Sequence, residues 1–188
     1  MRLNPLCAGP VTVQMMLISN PSLIVAESQP ITLVVPTGVG STAPCDPYLN
    51  AMFFDGTGYI FTGTELVNNG AFSTSSATAT PSVVTVGVIP AQSSQGSNWT
   101  LSFATPSGTG ALHEQVYATA ARYPFQTGSN AGLSVTGSGR GCNTDSGKFE
   151  IQHMVVANNQ VTEFLATFEQ HCEQQTADVL RGCIKYTR

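Results

Sequence analysis

Residues 137–173 read GSGRGCNTDSGKFEIQHMVVANNQVTEFLATFEQHCE. The second half has a period of two. Phe164, Ala166, Phe168, Gln170 and Cys172 fall on one side of an extended chain, and Leu165, Thr167, Glu169, His171 and Glu173 on the other, because successive side chains of a strand point to opposite faces. The first set is predicted to face a core. Asn158-Asn159 predicts a tight turn, since asparagine tolerates left-handed backbone, so 148–156 and 160–172 are expected as neighbouring strands. Asp145-Ser146-Gly147 reads as a second turn. Gly137-Ser-Gly-Arg-Gly141 has the glycine count of a phosphate-cradling loop, but no helix pattern follows to present an N-terminus to an anion. Its glycines are expected to admit a bend or bulge beside Cys142.

Outward from this stretch the same logic continues. In 179–187, Leu180, Gly182, Ile184 and Tyr186 are predicted to point inward, which leaves Arg181, Cys183 and Lys185 outside. Residues 83–89, 99–103 and 132–136 also read as strands. Strands at 51–54 and 58–62 flank Asp55-Gly56, a hairpin signal because glycine accepts positive φ. Residues 71–80 are polar and of low complexity. Residues 111–123, free of glycine and proline, are the one place that could form a short helix, with Tyr117, Ala120 and Ala121 on one face, and strand is the preferred reading there. Before the main run, 10–36 reads as two or three short strands, and TGVGSTAPCDPYLN at 37–50 reads as a boundary. The organisation predicted is therefore an N-terminal β arm with its linker at 1–50 and a β domain at 51–188. The fold class is all-β: an antiparallel β-sandwich or flattened barrel with at most one short helix.

Composition excludes several functions. Only 10% of the 188 residues are charged, 41% are hydrophobic, and the net charge is -4 with seven Lys plus Arg. Those cations are scattered singly and form no basic stripe, so nucleic acid is not an expected partner. The apolar stretch 11–25 is broken by Gln14, Ser19, Asn20 and Pro21, so it is neither a signal region nor a membrane span, and a secretory leader is expected to be absent from this chain. Five cysteines in a Thr-rich β chain point to an oxidising compartment. The odd count leaves at least one thiol unpaired within a monomer.

The ordered series Trp99-Thr-Leu-Ser-Phe-Ala-Thr-Pro-Ser-Gly108, Tyr117 with Arg122-Tyr-Pro-Phe-Gln126, Gly132-Leu-Ser-Val135, Gly139-Arg-Gly-Cys-Asn143, Phe168-Glu-Gln-His-Cys-Glu173, and Leu180-Arg-Gly182 with Ile184-Lys-Tyr186 resembles an uncharacterised domain of secreted bacterial proteins, often appended to larger extracellular chains. The resemblance spans 52–186. It implies secretion, an all-β fold, an extracellular or cell-surface location and a disulfide between Cys142 and Cys172, and it carries no catalytic residue. This chain departs from that pattern at Glu173, followed by glutamine rather than glycine, and at Cys183, where the domain has a small polar or aliphatic residue. The first fifty residues have no counterpart in it.

Cys7, Cys45 and Cys183 allow three pairings, and sequence alone does not choose among them. An outward Cys183 needs a partner lying over its face, which the arm can supply; Cys45 with Cys183 is the favoured version, leaving Cys7 free or intermolecular. Glu169, His171 and Glu173 stand about 7 Å apart at alternate positions, a spacing that suits metal ligands on a strand. No second cluster completes such a set, so no metal or cofactor is expected, and the face is read as solvated or ion-paired with Arg140 or Arg181. Arg122 and Arg140 are candidate contacts to an anion or a sugar, or else structural braces to carbonyls, an aromatic ring or a carboxylate. His113-Glu114 lacks the second histidine of a zincin motif, since Tyr117 stands in its place, and is read as a loop pair.

Two functional classes follow. The first is a non-catalytic extracellular structural or interaction module, acting in surface display, adhesion or self-assembly, whose arm adds a strand to its own kind or to a neighbouring domain. The alternative is a secreted carbohydrate-binding or hydrolase-associated domain that contacts a cell-surface glycan through Arg122, Arg140, Glu169, His171 and Glu173. No nucleophile stands beside a base at a recognisable spacing, so the first class is preferred and no enzyme is expected.

Overall fold

A computed structural model describes the backbone of residues 9–11, 14–17, 20–27 and 31–33, and residues 40–75, 78–91, 98–173 and 175–188 in full. The chain forms two compact units, Met1–Thr37 and Gly38–Arg188. The break falls at the start of the 37–50 stretch, and residues 40–50 belong with the larger unit.

The first unit contains β1 (Gly9–Val11), β2 (Gln14–Leu17), β3 (Asn20–Glu27) and β4 (Ile31–Leu33). β1 pairs with β4 and β2 with β3, both antiparallel, as separate two-stranded sheets.

The second unit contains β5 (Ala51–Thr57), β6 (Thr62–Val67), β7 (Gly70–Ser75), β8 (Val83–Pro90), β9 (Trp99–Ala104), β10 (Val116–Arg122), β11 (Ala131–Gly137), β12 (Asp145–Ala157), β13 (Gln160–Cys172) and β14 (Val179–Thr187). They form one ten-stranded sheet in the order β6-β5-β14-β13-β12-β10-β11-β9-β8-β7, which curls into a nearly closed barrel. Neighbours are antiparallel except β10 and β11, which run parallel, so the sheet is mixed.

The core lies where β9 faces β5, β12 and β13. The Trp99 ring is 4.2 Å from that of Phe54, and Phe103 is 5.3, 5.4 and 6.5 Å from Phe149, Phe164 and Phe168. All six rings are fully buried. Phe164, Ala166, Phe168, Gln170 and Cys172 are buried, as are Leu180, Ile184 and Tyr186 of β14. Asn158 and Asn159, at φ 52° and 62°, join β12 to β13 with the pair of left-handed residues that a type I′ turn requires.

Two expected turns, at Asp55-Gly56 and Asp145–Gly147, fail, and two segments that the sequence left open prove to be strands. No helix forms among the described residues; 116–122 is β10, because its buried Tyr117 stacks on Phe149, with centroids 4.5 Å apart, and it fills the slot between β11 and β12. The polar 70–75 is β7, a terminal strand whose side chains can remain half in solvent. Asp55-Gly56 is not a turn: β5 runs through it, and the chain reverses at 58–61, where the Gly58 N–H donates to the Phe61 carbonyl at 3.1 Å. The Asp145–Gly147 turn is likewise the start of β12, and the reversal lies earlier, at Ser138 and Gly139 (φ 55° and 71°) between the bridged pair Gly137 and Arg140.

The physical reason is shared. At Gly56, Gly147 and Gly182 glycine is needed for close approach: a Cβ would stand 2.5 Å from the Phe61 carbonyl oxygen, 2.2 Å from that of Glu169 and 1.9 Å from that of Phe53. Gly182→Ala is accordingly expected to cost roughly 2 kcal/mol or more, because the obstructing atom is backbone in the centre of the sheet; urea unfolding of the variant measures it.

Candidate functional site

The polar and charged groups singled out in the sequence fall into two places. One is the barrel end where β10, β11 and β13 finish and β12 begins. Glu173 leaves β13 at φ 53° and reverses the chain. Its N–H donates to the Thr144 carbonyl at 2.8 Å, its Oε1 accepts the Asn143 N–H at 2.8 Å, and its Oε2 accepts the Thr144 hydroxyl at 3.2 Å. The Asn143 N–H, with help from Thr144, holds the Glu173 carboxyl below the usual carboxylate range. These bonds set the segments of Cys142 and Cys172 side by side, and their sulfurs are joined, with Cα atoms 5.1 Å apart.

Arg122, at the end of β10, donates from Nη1 to the Asn143 carbonyl at 2.7 Å and lies 4.9 Å from the Phe125 ring centre. Arg140, on the β11–β12 turn, donates to the Tyr59 carbonyl at 3.0 Å and lies 5.6 Å from the Tyr59 ring centre. Tyr59 in turn donates its N–H to Asp178 at 3.0 Å. Both arginines therefore brace loops through carbonyls while backing aromatic rings that stay open to solvent, Tyr59 at 57% and Phe125 at 66% exposure.

Sequence reasoning misses two residues of this end. Gln170 is buried in the barrel, where its Oε1 accepts the Val135 N–H at 2.7 Å and its Nε2 donates to the Val135 carbonyl at 3.1 Å and to Cys142 Sγ at 3.3 Å. The pairing of β10 with β11 stops at Leu133, so the Gln170 amide serves the main chain of β11 where a neighbouring strand would otherwise do so. The inward alternation of β13 is the available signal, since a buried amide must find partners. Asp145 is also buried, and its Oδ1 has no hydrogen-bond partner. Burial pushes its carboxyl up to about 7, against the pull of Arg122 and with the added push of Glu173. Nothing in a local reading of Asp-Ser-Gly distinguishes this residue from a turn aspartate.

The second place is the outer face of β13. Glu169 accepts from Arg181 at 2.7 Å, contacts His171 Nε2 at 3.1 Å, and has Lys148 at 3.5 Å. Burial alone would raise its carboxyl, but the hydrogen bonds from Arg181 and His171 and the charges of Lys148 and Arg181 prevail and lower it to about 2. Glu169 and His171 thus face each other, while Glu173 has turned away to the barrel end. The expected three-residue face does not converge, because left-handed backbone at Glu173 ends the strand alternation. No group of three or more His, Cys, Asp or Glu suited to a metal occurs among the described residues. Glu114, of the expected loop pair, instead accepts the Met154 N–H at 2.9 Å beside His153, which also meets Glu163 at 2.9 Å.

Because the folded Glu169 carboxyl is lowered from its ordinary value of 4.5 to about 2, its stabilisation is present above pH 4.5 and lost as pH falls toward 2. Glu169→Gln is expected to cost about 1–2 kcal/mol at pH 7, less than the full shift implies because the pair is partly solvated, and almost nothing near pH 2. Urea unfolding at the two pH values tests this.

On this same outer face, two residues along β14 from Arg181, Cys183 is joined to Cys45, with Cα atoms 6.2 Å apart. Cys183 does lie on the outer face, yet it is fully buried, because 40–50 crosses over it and forms a small second cluster of Cys45, Ala51 and Cys183 with Tyr48 and Phe53 packed against it. Cys7 lies outside the described residues. Comparison with protein-family models, with curated proteins and with solved structures finds no match.

Proposed function

We propose that this chain is a non-catalytic extracellular module of the cell surface that assembles through its N-terminal unit. The observation that carries this reading is that, among the described residues, the strands of that unit pair only as two-stranded sheets, β1 with β4 and β2 with β3. Two-stranded sheets are marginal by themselves in water and gain most by joining a further strand. Two disulfides in the larger unit accord with an oxidising, extracellular setting. The polar clusters accord with a structural role: Arg122, Arg140 and Glu173 spend their hydrogen bonds on loops, and Glu169 spends its own on Arg181 and His171.

Deleting residues 1–37 is the direct test. The full chain is expected to run as a dimer or larger species in light scattering, and the shortened chain as a folded monomer. An unchanged mass on deletion overturns the proposal.

A second reading, a glycan-binding domain, draws on one observation: two exposed rings, Tyr59 and Phe125, each backed by a guanidinium, attach to the single segment 140–143. Sugars stack on such faces. Polysaccharide binding that is lost in Tyr59→Ala and Phe125→Ala supports it; flat binding of the native chain to cell-wall polysaccharides removes it.

A further inference from the structure

Given assembly through the N-terminal unit, on which this step rests, we infer that the outer edge of β6 is the acceptor and that β3 of a second copy is the strand added to it. Among the described residues, β6 is a terminal strand of the ten-stranded sheet and pairs only with β5. The ladder beyond it begins with the Gly58–Phe61 hydrogen bond. Hydrogen-bonded and non-bonded pairs alternate along an antiparallel ladder, so the main-chain groups of Thr62, Thr64 and Leu66 point to the open side.

Exposed edges are ordinarily blunted by lysine, proline or a bulge. β6 reads TGTELV, with no cation and no proline, and its register with β5 runs without a shift. Leu66 is 39% exposed beside its partner Phe53. A cleft of about 690 Å³ lined by Leu66, Val67, Asn68, Asn69, Gly70 and Ala91 opens at the strand's end. The opposite terminal strand, β7, is not equivalent. Its Thr74 hydroxyl donates to the Val161 carbonyl at 3.2 Å, and it shares a smaller cleft, of about 240 Å³, with Gln160, Tyr186 and Arg188.

The occupant matches this edge in length and chemistry. The six residues of β3 that follow Pro21, SLIVAE, equal β6 in length and carry a Leu-Ile-Val run of high β-propensity with no cation. It pairs with β2 along one side, through an irregular register, and its other side has no partner strand among the described residues.

Proline at an outward-facing position removes a donor from the open side while leaving the ladder to β5 intact. Thr64→Pro in the full chain is expected to convert the assembly to monomer with the far-ultraviolet spectrum of the folded barrel retained. Leu66→Lys, which keeps the backbone donor and adds a charge to the edge, gives a second variant should Thr64→Pro fail to fold, and Val25→Pro in β3 is expected to match them. If deletion of 1–37 yields monomer while Thr64→Pro and Leu66→Lys still assemble, the acceptor lies elsewhere and this inference is overturned although the assembly reading stands. If the β6 variants are monomeric but Val25→Pro still assembles, β3 is not the occupant. A native chain that is itself monomeric overturns both.

Discussion

Replacing Cys45 and Cys183 together by alanine is expected to lower stability by about 5 kcal/mol, the loop-closure entropy returned to the unfolded chain. The bridge spans 138 residues, nearly the whole larger unit, and so restricts the unfolded ensemble more than the Cys142–Cys172 bridge, which spans 30 and is worth about 3.5 kcal/mol on the same model. The 45–183 pair also anchors residues 40–50 over the outer face, where Lys185 Nζ donates to the Asp46 carbonyl at 2.7 Å and the Thr187 N–H to Asn50 at 2.8 Å. Losing the bridge therefore exposes Phe53 and Tyr48 as well. Guanidinium unfolding of the two double variants in parallel measures both costs. A larger loss for the 142–172 variant would mean that native-state packing at the barrel end, and not loop length, dominates.

The second large effect is pH-dependent. Asp145 has a folded pKa of about 7 against an ordinary 3.8, so the fold disfavours its ionised form. Below pH 3.8 both states carry the proton and the residue contributes no pH dependence; between about 4 and 7 the unfolded chain releases the proton first, and stability falls as pH rises. The full shift corresponds to at most about 4 kcal/mol. Asp145→Asn is expected to abolish this decline, so that the variant gains on the native protein steadily from pH 4 to 7 and holds its advantage above. Arg122 and Glu173 are the charged groups that act on this carboxyl. Arg122→Gln removes the attraction and is expected to carry the decline on to higher pH, which separates an electrostatic origin from a change in packing. Parallel unfolding curves for the native protein and the Asp145→Asn variant across that range would show the expectation to be wrong.

Much of the fold is legible because burial in a sheet has a strict period. The inward set of β13 and β14, the Asn158-Asn159 turn and the outward side of Cys183 all follow from alternation and turn chemistry, since a strand has only two faces. Glycines are where the reading fails. Asp55-Gly56 and Ser146-Gly147 carry the chemistry of turns, but a glycine that admits a neighbouring carbonyl looks identical, in sequence, to one that admits positive φ. Nor does a local pattern reveal that a terminal strand as polar as 70–75 pairs at all.

The candidate site divides along the same line. That Glu169 and His171 share the outer face was set by the sequence by itself, through the side-chain period of two, as was the all-β class. That Glu173 leaves that face, that Asp145 is buried with its Oδ1 unpartnered, and that Gln170 supplies the hydrogen bonds a missing strand would have made were decided only by tertiary structure. Each depends on where β10 stops and how the sheet closes on itself, which are distances between residues far apart in the chain, and no local periodicity encodes them.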